Sequence, residues 1–96
     1  MRKYELMYIV RPDLDEDATK AIMERFQNVV TEQGGEVVEL KEMGKRRLAY
    51  EIQKYREGFY VLMYFNAEPH VVQEVERLLR INEDVIRHLV IKLEEK

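Results

Sequence analysis

The spacing of apolar residues along the chain switches between a period of two, typical of strands, and a period of 3.6, typical of helices. The period of two predicts a first strand over residues 3–10, a long second strand interrupted at Gly44, a third strand over residues 59–67 and a last strand over residues 85–93. Because residues 59–67 are apolar on both faces, we expect the third strand to lie centrally in a sheet.

Two helices are predicted between these strands. Asp13 or Asp15 can cap the N-terminus of the first helix, and the glycines at 34–35 end it. Pro69 suits the first turn of the second helix. The stretch QKYREG, residues 53–58, is predicted to be the turn between the second and third strands.

The resulting order of strand, helix, strand, strand, helix and strand predicts an α+β fold. Right-handed crossovers turn this order into a ferredoxin-like βαββαβ sandwich, in which a four-stranded antiparallel sheet carries two helices on one face. We expect a single domain over residues 1–96. The opposite face of the sheet, called the free face below, is where we expect the function to lie.

Charge is unevenly distributed along the chain. The net charge of the 96 residues is −3, but residues 45–56 hold five basic residues and one acid, a local charge of +4. Residues 13–36 hold two basic residues and seven acids, a local charge of −5. An independent nucleic-acid binder usually carries a basic excess, because its affinity comes largely from neutralised phosphates. Any contact with a polyanion must therefore be local.

The sequence shows no catalytic or metal-binding constellation. There is no cysteine, and His70 and His88 lack the paired spacing of a metal site. Acylphosphate hydrolysis occurs on this fold with an arginine and a backbone cradle after the first strand, but Pro12 follows Arg11 and removes an N–H. We expect no enzyme, no cofactor and no metal. We expect no membrane partner either, because no apolar run is long enough, and the lack of cysteine favours the cytoplasm.

A protein partner is predicted on the free face. If Phe59 and alternate residues after it face the helices, an apolar row is left on the free face beside the first strand. Such a row is too apolar to remain bare. The candidate partner-interface residues are Met7, Ile9, Tyr60, Leu62 and Tyr64. The third strand matches the base-stacking motif of RNA-recognition domains only poorly, so stacking on RNA is not favoured.

Basic residues cluster on the second strand and near it. Charges on an edge strand prevent pairing with other chains, and this interpretation stays open beside phosphate binding. Arg46 and Arg47 suit phosphate best, because guanidinium binds it bidentately, while Leu48, Tyr50 and Ile52 would hold the strand to the core. Four further residues from the first and last strands would extend the patch over the free face. The candidate RNA-binding residues are Arg2, Lys3, Lys45, Arg46, Arg47, Lys54, Arg56, Arg87 and Lys92.

Three segments, MRKYELMYIVRPDLDE, GKRRLAYEI and IRHLVIK, occur in an order that resembles the bacterial small-subunit ribosomal protein S6 family over essentially the whole chain. The pattern G-x-R-R-L-A-Y-x-I at residues 44–52 is the most specific. The resemblance implies a structural protein of the cytoplasmic small ribosomal subunit. It implies binding to the central domain of the small-subunit RNA, and not to DNA, together with ribosomal protein S18, a small basic partner. A regulatory domain that dimerises through its sheet and binds a small molecule stays open as an alternative.

Overall fold

The computed structural model describes residues 1–93, which form six elements around one sheet. They are β1 (Arg2–Val10), α1 (Glu16–Glu32), β2 (Glu36–Ile52), β3 (Tyr55–Ala67), α2 (Pro69–Ile81) and β4 (Val85–Leu93). The strand order is β2-β3-β1-β4, and every neighbouring pair is antiparallel. Both helices pack on one face, so the predicted ferredoxin-like sandwich is confirmed, with β3 in a central position.

The ends of the helices follow the predicted signals. Asp15 is the N-cap of α1, and its carboxylate accepts a hydrogen bond of 2.7 Å from the backbone N–H of Ala18. Glu16 and Asp17 then place negative charge at the positive end of the helix dipole. The second helix begins at Pro69, where the missing N–H costs no intrahelical hydrogen bond.

The main core lies between the sheet and the helices. Alternate residues of β1 and β3 point into it and meet one stripe from each helix. The fully buried members include Leu6, Tyr8, Val10, Phe26, Val30, Val61, Met63, Phe65, Val75 and Leu79. The ring of Tyr8 packs 5.4 Å from that of Phe26, while the buried Tyr8 hydroxyl has no hydrogen-bond partner among residues 1–93.

The edge strand β2 is long and irregular. Its register against β3 shifts at three places, and Gly44 lies at one of them with a φ of +80°. The predicted interruption at Gly44 is therefore a bulge, and the left-handed backbone at that position favours glycine. The predicted turn over residues 53–58 is wrong, since β3 already begins at Tyr55. Only Gln53 and Lys54 form the turn, and their positive φ angles of 49° and 72° are those of a type I′ hairpin, whose twist matches the strands.

Candidate nucleic-acid interface

The β2–β3 hairpin extends beyond the rest of the sheet. The last residue of β1, Val10, pairs with Phe59, and past this point β2 and β3 pair only with each other. Arg46 lies opposite Gly58 and Arg47 opposite Glu57 in this extension. The part from residue 45 to residue 57, called the basic hairpin below, is therefore a two-stranded arm attached to the sheet at one end.

The basic hairpin folds over one end of the free face. Leu48 packs against Ile9 of β1 and Ile86 of β4, and all three are buried in a small cluster separate from the main core. Gly58 makes this approach possible, because a Cβ atom there would lie 2.3 Å from Cγ2 of Ile9. The cluster is completed by three partly buried residues, Ile52, Tyr55 and Tyr60.

This packing corrects two predictions. Leu48, Tyr50 and Ile52 do not hold β2 to the main core: Leu48 is buried in the second cluster, and Tyr50 is 60% exposed. Ile9 was predicted to meet a partner protein, but the hairpin covers it and leaves it only 2% exposed. A partner that contacts the free face must therefore avoid the end occupied by the basic hairpin.

An arginine from the last strand contacts the β2 side of the hairpin. The guanidinium of Arg87 donates a hydrogen bond to the hydroxyl of Tyr50, and its central carbon lies 5.5 Å from the centre of the tyrosine ring. The two strands are at opposite edges of the sheet. The contact forms because the hairpin crosses over the free face.

A second arginine lies near the β3 side of the hairpin. Nε of Arg11 donates a 2.8 Å hydrogen bond to Asp84, and its backbone N–H donates to the Asp84 carbonyl at 2.9 Å. The hydroxyl of Tyr55 raises the pKa of Arg11 most, and the carboxylates of Asp13 and Asp84 raise it further. With these partners the guanidinium of Arg11 is engaged in contacts within the protein.

The cations of the basic hairpin are exposed and have no carboxylate partner within residues 1–93. They are Lys45, Arg46, Arg47, Lys54 and Arg56. Even Glu57, directly opposite Arg47 in the ladder, forms no salt bridge with it. Of the ten other lysines and arginines in residues 1–93, four pair with acids: Arg11, Lys20, Lys41 and Arg77. Positive charge on the hairpin is therefore available to an external anion.

The four basic residues predicted to extend this patch do not share one face. Paired strand residues point to the same side of a sheet. Arg2 pairs with Ala67 and Lys92 with Tyr4, whose side chains are in the main core, so Arg2 and Lys92 lie on the helix-covered face. Their predicted place on the free face is wrong. Lys3 does lie there, half-buried, at the end of β1 far from the hairpin.

The apolar row on the free face is present and wider than predicted. Tyr60, Leu62 and Tyr64 are half-buried there, as is Met7, which pairs with Leu62. Two residues of β4 that the sequence reasoning missed belong to the same face: Leu89, 52% exposed, and Ile91, 45% exposed. Leu89 and Ile91 alternate with His88 and Val90, which indicates that the two pairs lie on opposite faces. Because both faces of β4 mix polar and apolar residues, only its pairing with β1 decides which face is buried.

Two kinds of site are not found in the part of the chain that the structure describes. Among residues 1–93, no three His, Asp or Glu side chains are grouped closely enough to share a metal ion. In the same residues, neither helix is both long and apolar enough to cross a membrane.

Comparison with known proteins gives one consistent result. The family model described as ribosomal protein S6 matches residues 3–92. The small ribosomal subunit protein bS6 of Moorella thermoacetica is 51% identical over 96 residues, which cover all of this chain and 98% of that protein. The crystal structure of 30S ribosomal protein S6 from Thermotoga maritima superposes with a TM-score of 0.92 at 32% identity, covering 96% of this chain and 87% of the other. This chain belongs to the ribosomal protein S6 family of the small ribosomal subunit.

Proposed function

We propose that the basic hairpin binds phosphates in the central domain of the small-subunit ribosomal RNA, while ribosomal protein S18 covers the apolar part of the free face. The observation that supports this proposal is the set of five exposed hairpin cations that pair with no acid within residues 1–93. Cations that form no salt bridge can exchange their counterions for phosphates without losing an internal ion pair.

The negative net charge of the chain is the reason why we propose an RNA interface shared with a second protein. With a net charge of −3, the whole chain is repelled by RNA at long range, even though the hairpin is attracted to it. A basic partner on the adjacent apolar surface would supply the missing positive field. Tyr60, Leu62 and Leu89 offer the apolar contact that such a partner needs.

Recognition on this proposal is of RNA shape and phosphate. Arginine and lysine on a two-stranded arm can follow a phosphate backbone, whereas reading single-stranded bases needs aromatic rings open to stacking. Tyr60 and Tyr64 are half-buried on the free face rather than fully presented. The role is structural, and we expect no catalytic activity from the isolated chain or from its complex.

A salt titration tests the proposal. Binding of an RNA fragment from the central domain is measured with and without S18, from low to moderate salt. Four or five phosphate contacts give a slope of the logarithm of affinity against the logarithm of salt of about −3 to −4. If S18 does not change the affinity for the RNA, the shared interface is contradicted.

A charge reversal on the hairpin tests the site. Arg46→Glu together with Arg47→Glu removes two phosphate contacts and is expected to weaken binding at least about tenfold. The free energy of unfolding should change by less than about 0.5 kcal/mol, because both side chains are exposed. The matched control is Arg25→Glu with Arg80→Glu, an equal change of charge at exposed helix positions. Equal losses of affinity in both double variants would assign the effect to net charge and not to the hairpin.

The alternative of a sheet-mediated dimer is tested by the oligomeric state. Exposed Leu89 and Ile91 on the free face suit a second copy as well as another protein. Sedimentation of the chain alone should give a monomer that forms a heterodimer when S18 is added. A homodimer that excludes S18 would favour the regulatory-domain alternative.

A further inference from the structure

We infer that Arg87 is a positioning residue that holds the basic hairpin over the free face, and that it is not one of the phosphate ligands. This inference rests on the proposed function for its effect on RNA affinity. The restraint that Arg87 places on the hairpin is a property of the chain alone and can be measured without RNA. It follows from the contact between Arg87 of β4 and Tyr50 of β2, two strands at opposite edges of the sheet.

The hairpin needs such a contact because apolar packing alone does not fix the direction of its β2 side. Leu48 is its one buried apolar side chain on that strand, and Tyr50 is 60% exposed. Apolar contacts such as those of Leu48 and the partly buried Ile52 restrict distance but not direction, whereas a hydrogen bond is directional. The hydrogen bond from Arg87 to the Tyr50 hydroxyl supplies that direction.

The two strands of the hairpin are approached by two arginines of the body. Arg87 meets Tyr50 on β2, and Arg11 lies beside Tyr55 on β3. Arg11 is itself fixed by its hydrogen bonds to Asp84. The hairpin is therefore contacted on its β2 side by a group of β4, and Arg11, just after β1, lies near Tyr55 on its β3 side.

An orientation fixed before binding raises affinity without adding a contact. The hairpin cations move as a unit when the arm rotates, and ordering a mobile arm on RNA costs conformational entropy. A phosphate ligand and a positioning residue can be told apart by salt. Loss of one phosphate contact makes the slope of the logarithm of affinity against the logarithm of salt shallower by about 0.7 to 0.9. Loss of preorganisation lowers the affinity and leaves that slope unchanged.

The test uses Arg87→Gln, Tyr50→Phe and the double variant in the full chain. Two controls match them: Arg80→Gln, an exposed arginine on α2, and Tyr4→Phe, a tyrosine of the main core that lies outside both proposed contact surfaces. Amide hydrogen exchange of residues 45–57 is measured in the chain alone. Affinity for the RNA fragment in the presence of S18 is measured over a range of salt.

Faster exchange in the hairpin, with unchanged exchange in β1 and β3 beyond residue 59, is the expected result for both single variants. Each should weaken RNA binding by about two- to fivefold at an unchanged salt slope, and the double variant should be no worse than Arg87→Gln alone. A loss of global stability would instead speed exchange in all strands together, so this pattern separates positioning from destabilisation.

Two results would overturn the inference. A shallower salt slope in Arg87→Gln, with no change in Tyr50→Phe, would make Arg87 a phosphate ligand. Unchanged hairpin exchange in both single variants would show that the contact does not hold the arm. If the wild-type chain with S18 fails to bind the RNA at any salt, the proposed function fails, and the exchange rates still decide whether Arg87 positions the hairpin.

Discussion

The helix-covered face and the free face of the sheet take their side chains alternately from the same four strands, yet their apolar side chains are covered in different ways. On the first face, two helices bury a continuous apolar layer that includes Leu6, Phe26 and Val75. On the free face, Leu48 of one hairpin covers Ile9 and Ile86 at one end, and apolar side chains at the other end stay exposed.

The difference shows how one sheet separates stability from binding. Burial of apolar area is the main source of folding free energy, so the helix-covered face carries most of it. The free face can then present cations and apolar residues that contribute little to folding. Substitutions on the two faces should accordingly have different consequences, and three of them test this contrast in order of expected size.

The largest effect is expected in the main core. Phe26→Ala removes a fully buried ring that packs on Tyr8 and should lower the free energy of unfolding by about 3 to 5 kcal/mol. Leu89→Ala on the free face, where the side chain is 52% exposed, should change it by less than about 1 kcal/mol. Urea denaturation of both variants measures the contrast, and equal losses would contradict it.

A smaller effect is expected where the hairpin closes on the sheet. Gly58→Ala places a methyl group against Cγ2 of Ile9 and should destabilise the chain by about 1 to 3 kcal/mol. Ile9→Ala removes that atom, so the double variant should lose about 1 kcal/mol less than the sum of the single losses. Strict additivity in the denaturation data would show that the hairpin does not pack on β1 at this point.

A stabilising change is expected at Tyr8, whose buried hydroxyl has no hydrogen-bond partner in the described part of the chain. Tyr8→Phe removes that unsatisfied group and should raise the free energy of unfolding by about 1 to 2 kcal/mol near pH 7. Tyr4→Phe is the control, because the Tyr4 hydroxyl is not buried without a partner. A loss of stability in Tyr8→Phe would indicate that the hydroxyl is bonded in solution.

The same variant has a signature in alkaline solution. Burial, and then the Glu42 carboxylate, raise the pKa of Tyr8 above its ordinary value. Because the folded chain holds this proton more tightly than the unfolded chain, stability is retained below about pH 10 and falls above it by about 1.4 kcal/mol per pH unit. The difference in the free energy of unfolding between Tyr8→Phe and the wild type should therefore increase above pH 10, which alkaline denaturation curves measure.

Much of the fold could be predicted because its signals are local. The alternation in β1 places Leu6 and Tyr8 in the core, and Asp15 and Pro69 mark where the helices begin. The resemblance of residues 44–52 to the S6 family also predicted the family, which the comparisons confirm, and with it the location in the small subunit of the cytoplasmic ribosome.

Part of the candidate site was mispredicted although the sequence held the signal. Arg87 and Lys92 are five residues apart in one strand, and an odd separation puts two side chains on opposite faces. The same rule separates Arg2 from Lys3. Strand alternation alone therefore shows that the four cations cannot all lie on the free face. The pairing with β1 and β3 places Arg2 and Lys92 on the helix-covered face.

The folding of the hairpin over the free face could not be predicted in this way. It depends on register shifts in β2 and on contacts of Leu48 with Ile9 and Ile86, which are distant from it along the chain on either side. No local pattern encodes such a meeting. The contact of Arg87 with Tyr50, and the burial of Ile9 that removes it from the partner surface, follow only from this long-range geometry.

The position of β4 in the sheet has a consequence for synthesis. β1, made first, is a central strand whose two neighbours are β3 and β4, and Lys3 at its start lies opposite Leu93. The β2–β3 hairpin is local in sequence and can form early, but β1 keeps one edge open until Val85–Leu93 has left the ribosome. The cations that we propose to bind RNA can thus be assembled on their hairpin before Arg87 arrives to fix its direction.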